Sequence, residues 1–165
     1  MIKFLVEDAA AMDALGIQLG RTLSSGVIVF LMGELGAGKT TLVRGVLRGL
    51  GFTGHVRSPT YTLMEGYEIH DQVFQHLDLY RISDAGELEF LGIRELDDPN
   101  GWVFVEWPER GGGYLPTPDL ELKFEFLDSG RRIGLTACSE RGRRQTDAWR
   151  VMAKTTVRPG LIVQG

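Results

Sequence analysis

A six-residue apolar run, Val27-Ile28-Val29-Phe30-Leu31-Met32, ends directly on Gly33-Glu34-Leu35-Gly36-Ala37-Gly38-Lys39-Thr40, and no other junction constrains the chain as strongly. The run is rich in β-branched residues and does not alternate, so it reads as a strand buried on both faces, as in a parallel sheet. The octapeptide matches G-x-x-x-x-G-K-[ST]. Beyond it, Leu42, Val46 and Leu50 recur at helical spacing and Gly51 suits a helix end. Strand, glycine loop and helix together aim backbone N–H groups and the positive end of the helix at one anion. Lys39 is expected to reach the β- and γ-phosphates of a nucleotide, and the Thr40 hydroxyl is placed to ligate the Mg²⁺ that bridges them. Gly33, Glu34, Leu35, Gly36, Ala37, Gly38, Lys39, Thr40 and Thr41 are the candidate cofactor-binding residues.

Composition is that of one compact domain: 165 residues, 43% hydrophobic and 24% charged, with no repeat or low-complexity tract. The apolar stretch Ile2–Val6 stops at Glu7-Asp8, too short for a signal peptide, and no run approaches a membrane span; the expected location is the cytoplasm. Cys138 has no second cysteine to pair with and reads as a small core residue. Charge is uneven. Residues 1–130 hold ten Lys/Arg against twenty Asp/Glu, and residues 131–165 hold eight against two. The acidic body argues against a chain that grips nucleic acid over most of its surface. Arg131, Arg132, Arg141, Arg143, Arg144, Arg150, Lys154 and Arg158 form a basic tail, read either as a solvated face or as a contact for RNA or an acidic partner.

Elsewhere, Met12, Leu15, Leu19 and Leu23 predict a helix over about 8–23. Tyr61–Ile69 and Val73–Tyr80 around His70-Asp71-Gln72, and Leu120–Leu127 with Arg132–Ala137 around Asp128-Ser129-Gly130, predict two hairpins. A short helix is expected near 84–91 and a buried strand at Trp102–Val105. The result is a nucleotide-binding α/β fold with a mixed sheet, flanking helices and antiparallel hairpins.

Two carboxylates stand at or near strand ends, the edge along which open α/β sheets bind ligands. Alternation in His76-Leu77-Asp78-Leu79-Tyr80 puts His76, Asp78 and Tyr80 on one face. Asp78 therefore either faces the Mg²⁺ or pairs with Arg81 in solvent. Glu106 closes the apolar strand, where a carboxylate demands a partner; it is placed to bind the metal, hold its water or orient an attacking water. Lys39, Asp78 and Glu106 are the candidate catalytic residues, and Thr40, Asp78 and Glu106 the candidate metal ligands. The hydroxyls of Ser58-Pro59-Thr60-Tyr61-Thr62 lie where a loop sensing the γ-phosphate is expected, although the same residues suit an ordinary turn into a strand. The guanine-reading pattern Asn-Lys-x-Asp is absent: the one asparagine, Asn100, precedes Gly101. A small-molecule kinase and a nucleotide-gated binding module without turnover remain as alternatives to an ATPase.

Taken in order, GELGAGKTT (33–41), SPTYTL (58–63), HLDLYR (76–81), ELEFLGI (87–93) and VEWP (105–108) resemble the motifs of the TsaE family, formerly YjeE, over about residues 8–137. The resemblance implies a P-loop NTPase-like domain over 1–138 followed by a basic extension over 139–165 that carries no family motif. It implies an ATPase that binds ATP and ADP with Mg²⁺ and supports threonylcarbamoyladenosine modification of tRNA alongside the partner proteins TsaD and TsaB. It gives Gly36 to Thr41 the phosphates, Thr40 and Glu106 the metal, and Asp78 a place beside it. SPTYTL becomes a switch loop with Ser58, Pro59, Thr60 and Tyr61, and Trp107 a residue near the active site, although a sheet-edge aromatic is an equally natural reading of Trp107. The resemblance reaches tRNA indirectly, and the basic tail leaves a direct contact open.

Overall fold

A computed structural model describes residues 2–96, 98–155 and 161–164. Eight strands form one sheet in the order β3-β4-β5-β2-β6-β7-β1-β8. Its centre is parallel: β2 (Val27–Met32) lies between β5 (Trp102–Glu106) and β6 (Leu120–Phe126), and β4 (Gln72–Asp78) runs parallel to β5 on the far side. The flanks are antiparallel, where β3 (Met64–Ile69) pairs with β4, β7 (Arg131–Ala137) with β6, and β1 (Ile2–Val6) between β7 and β8 (Leu161–Gln164).

Burial on both faces explains why β2 carries no alternation. Val27, Val29 and Leu31 join a core with α1 (Ala9–Arg21), α2 (Lys39–Gly49) and α4 (Glu140–Thr155). Ile28 joins a second core on the opposite face with Leu77, Val103, Val105 and Leu88 of the short helix α3 (Glu87–Phe90). The expected hairpins form, and the first turns on His70 and Asp71 at φ 49° and 63°, the left-handed pair that matches strand twist. Its strands are shorter than the sequence suggests. Residues 59–63 close a turn, with the Leu63 N–H donating to Pro59 O at 2.8 Å, before β3 begins. The helix expected over 84–91 shrinks to four residues, led by Glu87, whose Oε1 accepts the Ser83 and Asp84 amides, and ended by Gly92 at φ 68°.

Asp8 caps α1 by accepting the Ala11 amide at 2.8 Å. The seam between α1 and α2 was not anticipated from sequence. Gly16 and Gly20 on one helix meet Gly45 and Gly49 on the other so closely that a Cβ on any of the four falls 2.3 Å from a backbone oxygen of the facing helix. This contact fixes α2, whose first residues are Lys39 and Thr40, against α1. Residues 139–155 pack on the same core rather than standing apart. Ser139 caps α4 by accepting the Gly142 amide at 3.0 Å, Trp149 is buried and donates from Nε1 to Leu19 O at 3.1 Å, and Gln145 bridges the Ser24 amide and Thr22 O. Arginines of the expected basic tail are largely committed within the chain: Arg132 to Glu125, Arg141 to Gly26 O, Arg143 to Glu140, Arg150 to Asp147 and Arg131 over Phe126. Arg158 and the side chain of Lys154 lie outside the described residues. Cys138 corrects an expectation. It sits past the end of β7 and is exposed, because β7 is already turning toward α4 there. Among the described residues no helix is long and apolar enough to cross a membrane.

Candidate nucleotide-binding site

The carboxyl ends of β2, β4 and β5 and the start of α2 converge on a cleft of about 220 Å³. Residues 35–41 form one wall, and Thr60, Asp78, Tyr80, Glu106 and Trp107 the others. Gly38 is the N-cap of α2, at φ 101°, and supplies no side-chain cap; the first turn also holds no acidic residue. The helix therefore starts with free amides facing the cleft, which is the condition for binding an anion there. At Gly33, φ 152°, an added Cβ falls 2.8 Å from both Cβ and O of Phe124, so the loop leaves the sheet only with glycine at that position.

Lys39 is buried and bends back on its own loop, donating from Nζ to Gly33 O at 2.6 Å and Glu34 O at 2.9 Å. Those two residues thus serve the site through their carbonyls rather than by lining the cleft. Burial pushes the Lys39 ammonium below its ordinary range, against the opposing pull of Glu106, Asp78 and Glu109. Trp107 covers the same ammonium, its ring centre 4.4 Å from Nζ. It does so from a left-handed backbone at φ 56°, ψ 50°, between Glu106 and Pro108, with Tyr80 packed 5.0 Å away. The ring faces the lysine, which goes beyond a sheet-edge aromatic.

Glu106 is buried and finds the partners that its apolar strand demanded: Oε1 accepts the Thr40 hydroxyl at 2.8 Å and meets His76 Nε2 at 2.9 Å. Asp78 stands opposite Glu106 in the β4–β5 register. Its Oδ1 accepts the Tyr80 amide at 3.0 Å, and its Oδ2 lies 3.5 Å from the Thr60 hydroxyl. Arg81 instead lies over the Tyr61 ring, which removes the solvent pairing as an account of Asp78. Burial raises the Asp78 carboxyl above the usual carboxylate range, and the Glu106 charge adds to the rise. Of the loop 58–62, only Thr60 reaches the cleft. Ser58 bonds Thr60 at 2.6 Å, and Tyr61 is 81% exposed. Sequence reading passed over His76 and Arg110. The first shares Asp78's face by strand alternation, and the second lies over both Tyr80 and Trp107.

Thr40, Glu106 and Asp78 suit a magnesium ion, which prefers one or two carboxylates completed by phosphate and water. The donor set is oxygen throughout. No group of three or more His, Cys, Asp or Glu poised to hold a metal occurs among the described residues, so the ion would depend on the nucleotide for its remaining ligands.

A buried parallel strand, a glycine loop and an uncapped helix opening on Lys-Thr define a protein of the P-loop class. The family model described as threonylcarbamoyl adenosine biosynthesis protein TsaE matches residues 6–133, and the chain belongs to that family. The tRNA threonylcarbamoyladenosine biosynthesis protein TsaE of Haemophilus influenzae is 45% identical over 123 residues, 74% of this chain and 78% of that protein. The Nostoc sp. protein of the same name is 38% identical over 138 residues, 80% of this chain and 83% of its own length. The crystal structure of Bacillus subtilis YdiB superposes with a TM-score of 0.75 at 27% identity, covering 92% of this chain and 97% of that one.

Proposed function

We propose that the chain is a weak, Mg²⁺-dependent ATPase that supports threonylcarbamoyladenosine modification of tRNA by acting on a TsaB–TsaD complex. The observation that carries this reading is the hydrogen bond from Thr40 to Glu106, which joins the phosphate loop to the carboxylate of the neighbouring strand in one cleft. The loop amides and Lys39 would hold the β- and γ-phosphates, with Lys39 exchanging its two carbonyl partners for phosphate oxygens. Thr40, Glu106 and Asp78 would hold the Mg²⁺, which when bound neutralises phosphate charge. Asp78 and Glu106 would also orient an attacking water.

Lys39 is the one cationic side chain among the described residues that line the cleft. An arginine completing such a site contributes ~10³-fold or more, so hydrolysis by the isolated chain is expected to be slow and to rise when the partner is added. ATP turnover measured with and without TsaB and TsaD tests this reading; fast, partner-independent hydrolysis counts against it. Glu106→Gln separates an ATPase from a module that only senses nucleotide. The ATPase loses turnover while retaining the ATP affinity measured without Mg²⁺, and the module keeps nucleotide-dependent assembly with TsaB–TsaD unchanged.

A further inference from the structure

His76 is fully buried on β4, an expensive place for a polar ring, and the steps described so far leave it without a task. Its Nε2 lies 2.9 Å from Glu106 Oε1, and its Nδ1 is buried with no protein partner. A carboxylate oxygen only accepts, so the proton of this contact belongs to Nε2. Nδ1 has no acceptor within reach, and a proton placed there would be a buried N–H without a partner, so the packing itself selects the Nε2–H tautomer. Glu106 Oε1 thus takes two donors, His76 from the sheet side and Thr40 from the loop side, and Oε2 takes none from the described residues.

We infer that His76 is a positioning residue: by occupying Oε1 it fixes the rotation of the Glu106 carboxylate and turns Oε2 toward the metal and water side of the cleft. Without that donor, Glu106 has the Thr40 hydroxyl as its single tether among the described residues, and Thr40 would itself be the loop's ligand to the metal. A carboxylate held only by the group that must turn to the metal is free to rotate as the metal arrives. His76 removes that freedom from a direction the nucleotide does not touch. Outer partners of metal ligands commonly influence metal affinity by about 10–100-fold.

The inference rests on the Mg²⁺–ATP reading, and its test separates the two. ATP affinity is measured by calorimetry with Mg²⁺ and with EDTA for the wild type, His76→Leu and His76→Gln, whose amide reaches the position of Nε2. We expect His76→Leu to leave the EDTA affinity within about twofold of wild type and to lose roughly 10–100-fold of the gain that Mg²⁺ confers, with His76→Gln recovering most of it. An equal loss with and without Mg²⁺ would mark His76 as structural only, and an unchanged Mg²⁺ gain would mark it as idle; either overturns the inference. Absence of any Mg²⁺ gain in the wild type sinks the functional reading instead. ¹⁵N–¹H long-range correlation spectra of histidine-labelled wild type judge His76 even if His76→Leu does not fold: an Nε2–H ring is expected, and an Nδ1–H ring refutes the assignment.

Discussion

Gly45→Ala tests whether the glycine seam between α1 and α2 holds the phosphate loop in place. A Cβ at residue 45 falls 2.3 Å from Asp13 O and 2.9 Å from the Gly16 Cα. Carbon and oxygen in ordinary contact stay about 3.3 Å apart, so the helices must separate by roughly 1 Å. Overpacking costs about 1–3 kcal/mol. Both obstructing atoms are backbone, which no rotamer change relieves, so the upper end applies. Alanine returns about 1 kcal/mol through helix propensity. The net loss is ~2 kcal/mol, a fall in Tm of about 4–8 °C for a chain of this size. Urea unfolding followed by tryptophan fluorescence measures it, and an unchanged slope confirms that stability rather than compactness has altered. Gly134→Ala in β7 is the control: its Cβ would meet nothing within 4 Å, so the expected change is within about 0.5 kcal/mol. If Gly45→Ala equals or exceeds the wild type in stability, close helix contact does not fix α2. Because α2 opens with Lys39 and Thr40, weaker ATP binding by the folded variant is expected as well.

Three other outcomes follow from the site. Lys39→Ala should reduce ATP affinity severely while leaving the fold intact, since its bonds to Gly33 O and Glu34 O lie within the loop; unchanged affinity by calorimetry contradicts the role given to the ammonium. Asp78 titrates above the ordinary carboxylate range because it is buried, so the folded state holds more protons than the unfolded state, and its ionisation costs stability as pH rises through that window. Asp78→Asn should therefore gain on the wild type in Tm as pH rises above about 4, the ordinary carboxylate range, and a constant or inverted difference would refute the assignment. Cys138 should be modified by a thiol reagent in the native protein, although slowly, because partial burial and the charges of Glu121 and Asp119 raise its thiol; labelling only after unfolding would show that it is covered.

What the sequence disclosed and withheld divides by the range of the interactions. β2, the loop and α2 were legible because each carries its own signal within a few residues: burial on both faces, glycines at left-handed positions, and a 3.6-residue apolar stripe. The carboxylates were found because strand ends are where ligands bind. β1 was not read as a strand, since its five residues gain meaning only by pairing with β7, more than a hundred positions away. α4 was hidden by its arginines, which dominate its composition, whereas Trp149 and Gln145 decide its packing. Glycines within helices read as weak helix formers until the facing helix brings its own. The bond between His76 and Glu106 depends on the parallel register of β4 and β5, which no local pattern encodes. Trp107 was recognised by resemblance, but its left-handed backbone and its position over Lys39 come from the fold.

The most direct test is a crystal structure with Mg²⁺ and a non-hydrolysable ATP analogue. Lys39 Nζ is expected to leave Gly33 O and Glu34 O for the β- and γ-phosphate oxygens, with metal density beside Thr40, Glu106 and Asp78. A triphosphate bound elsewhere, with Lys39 still on its own loop, would contradict it.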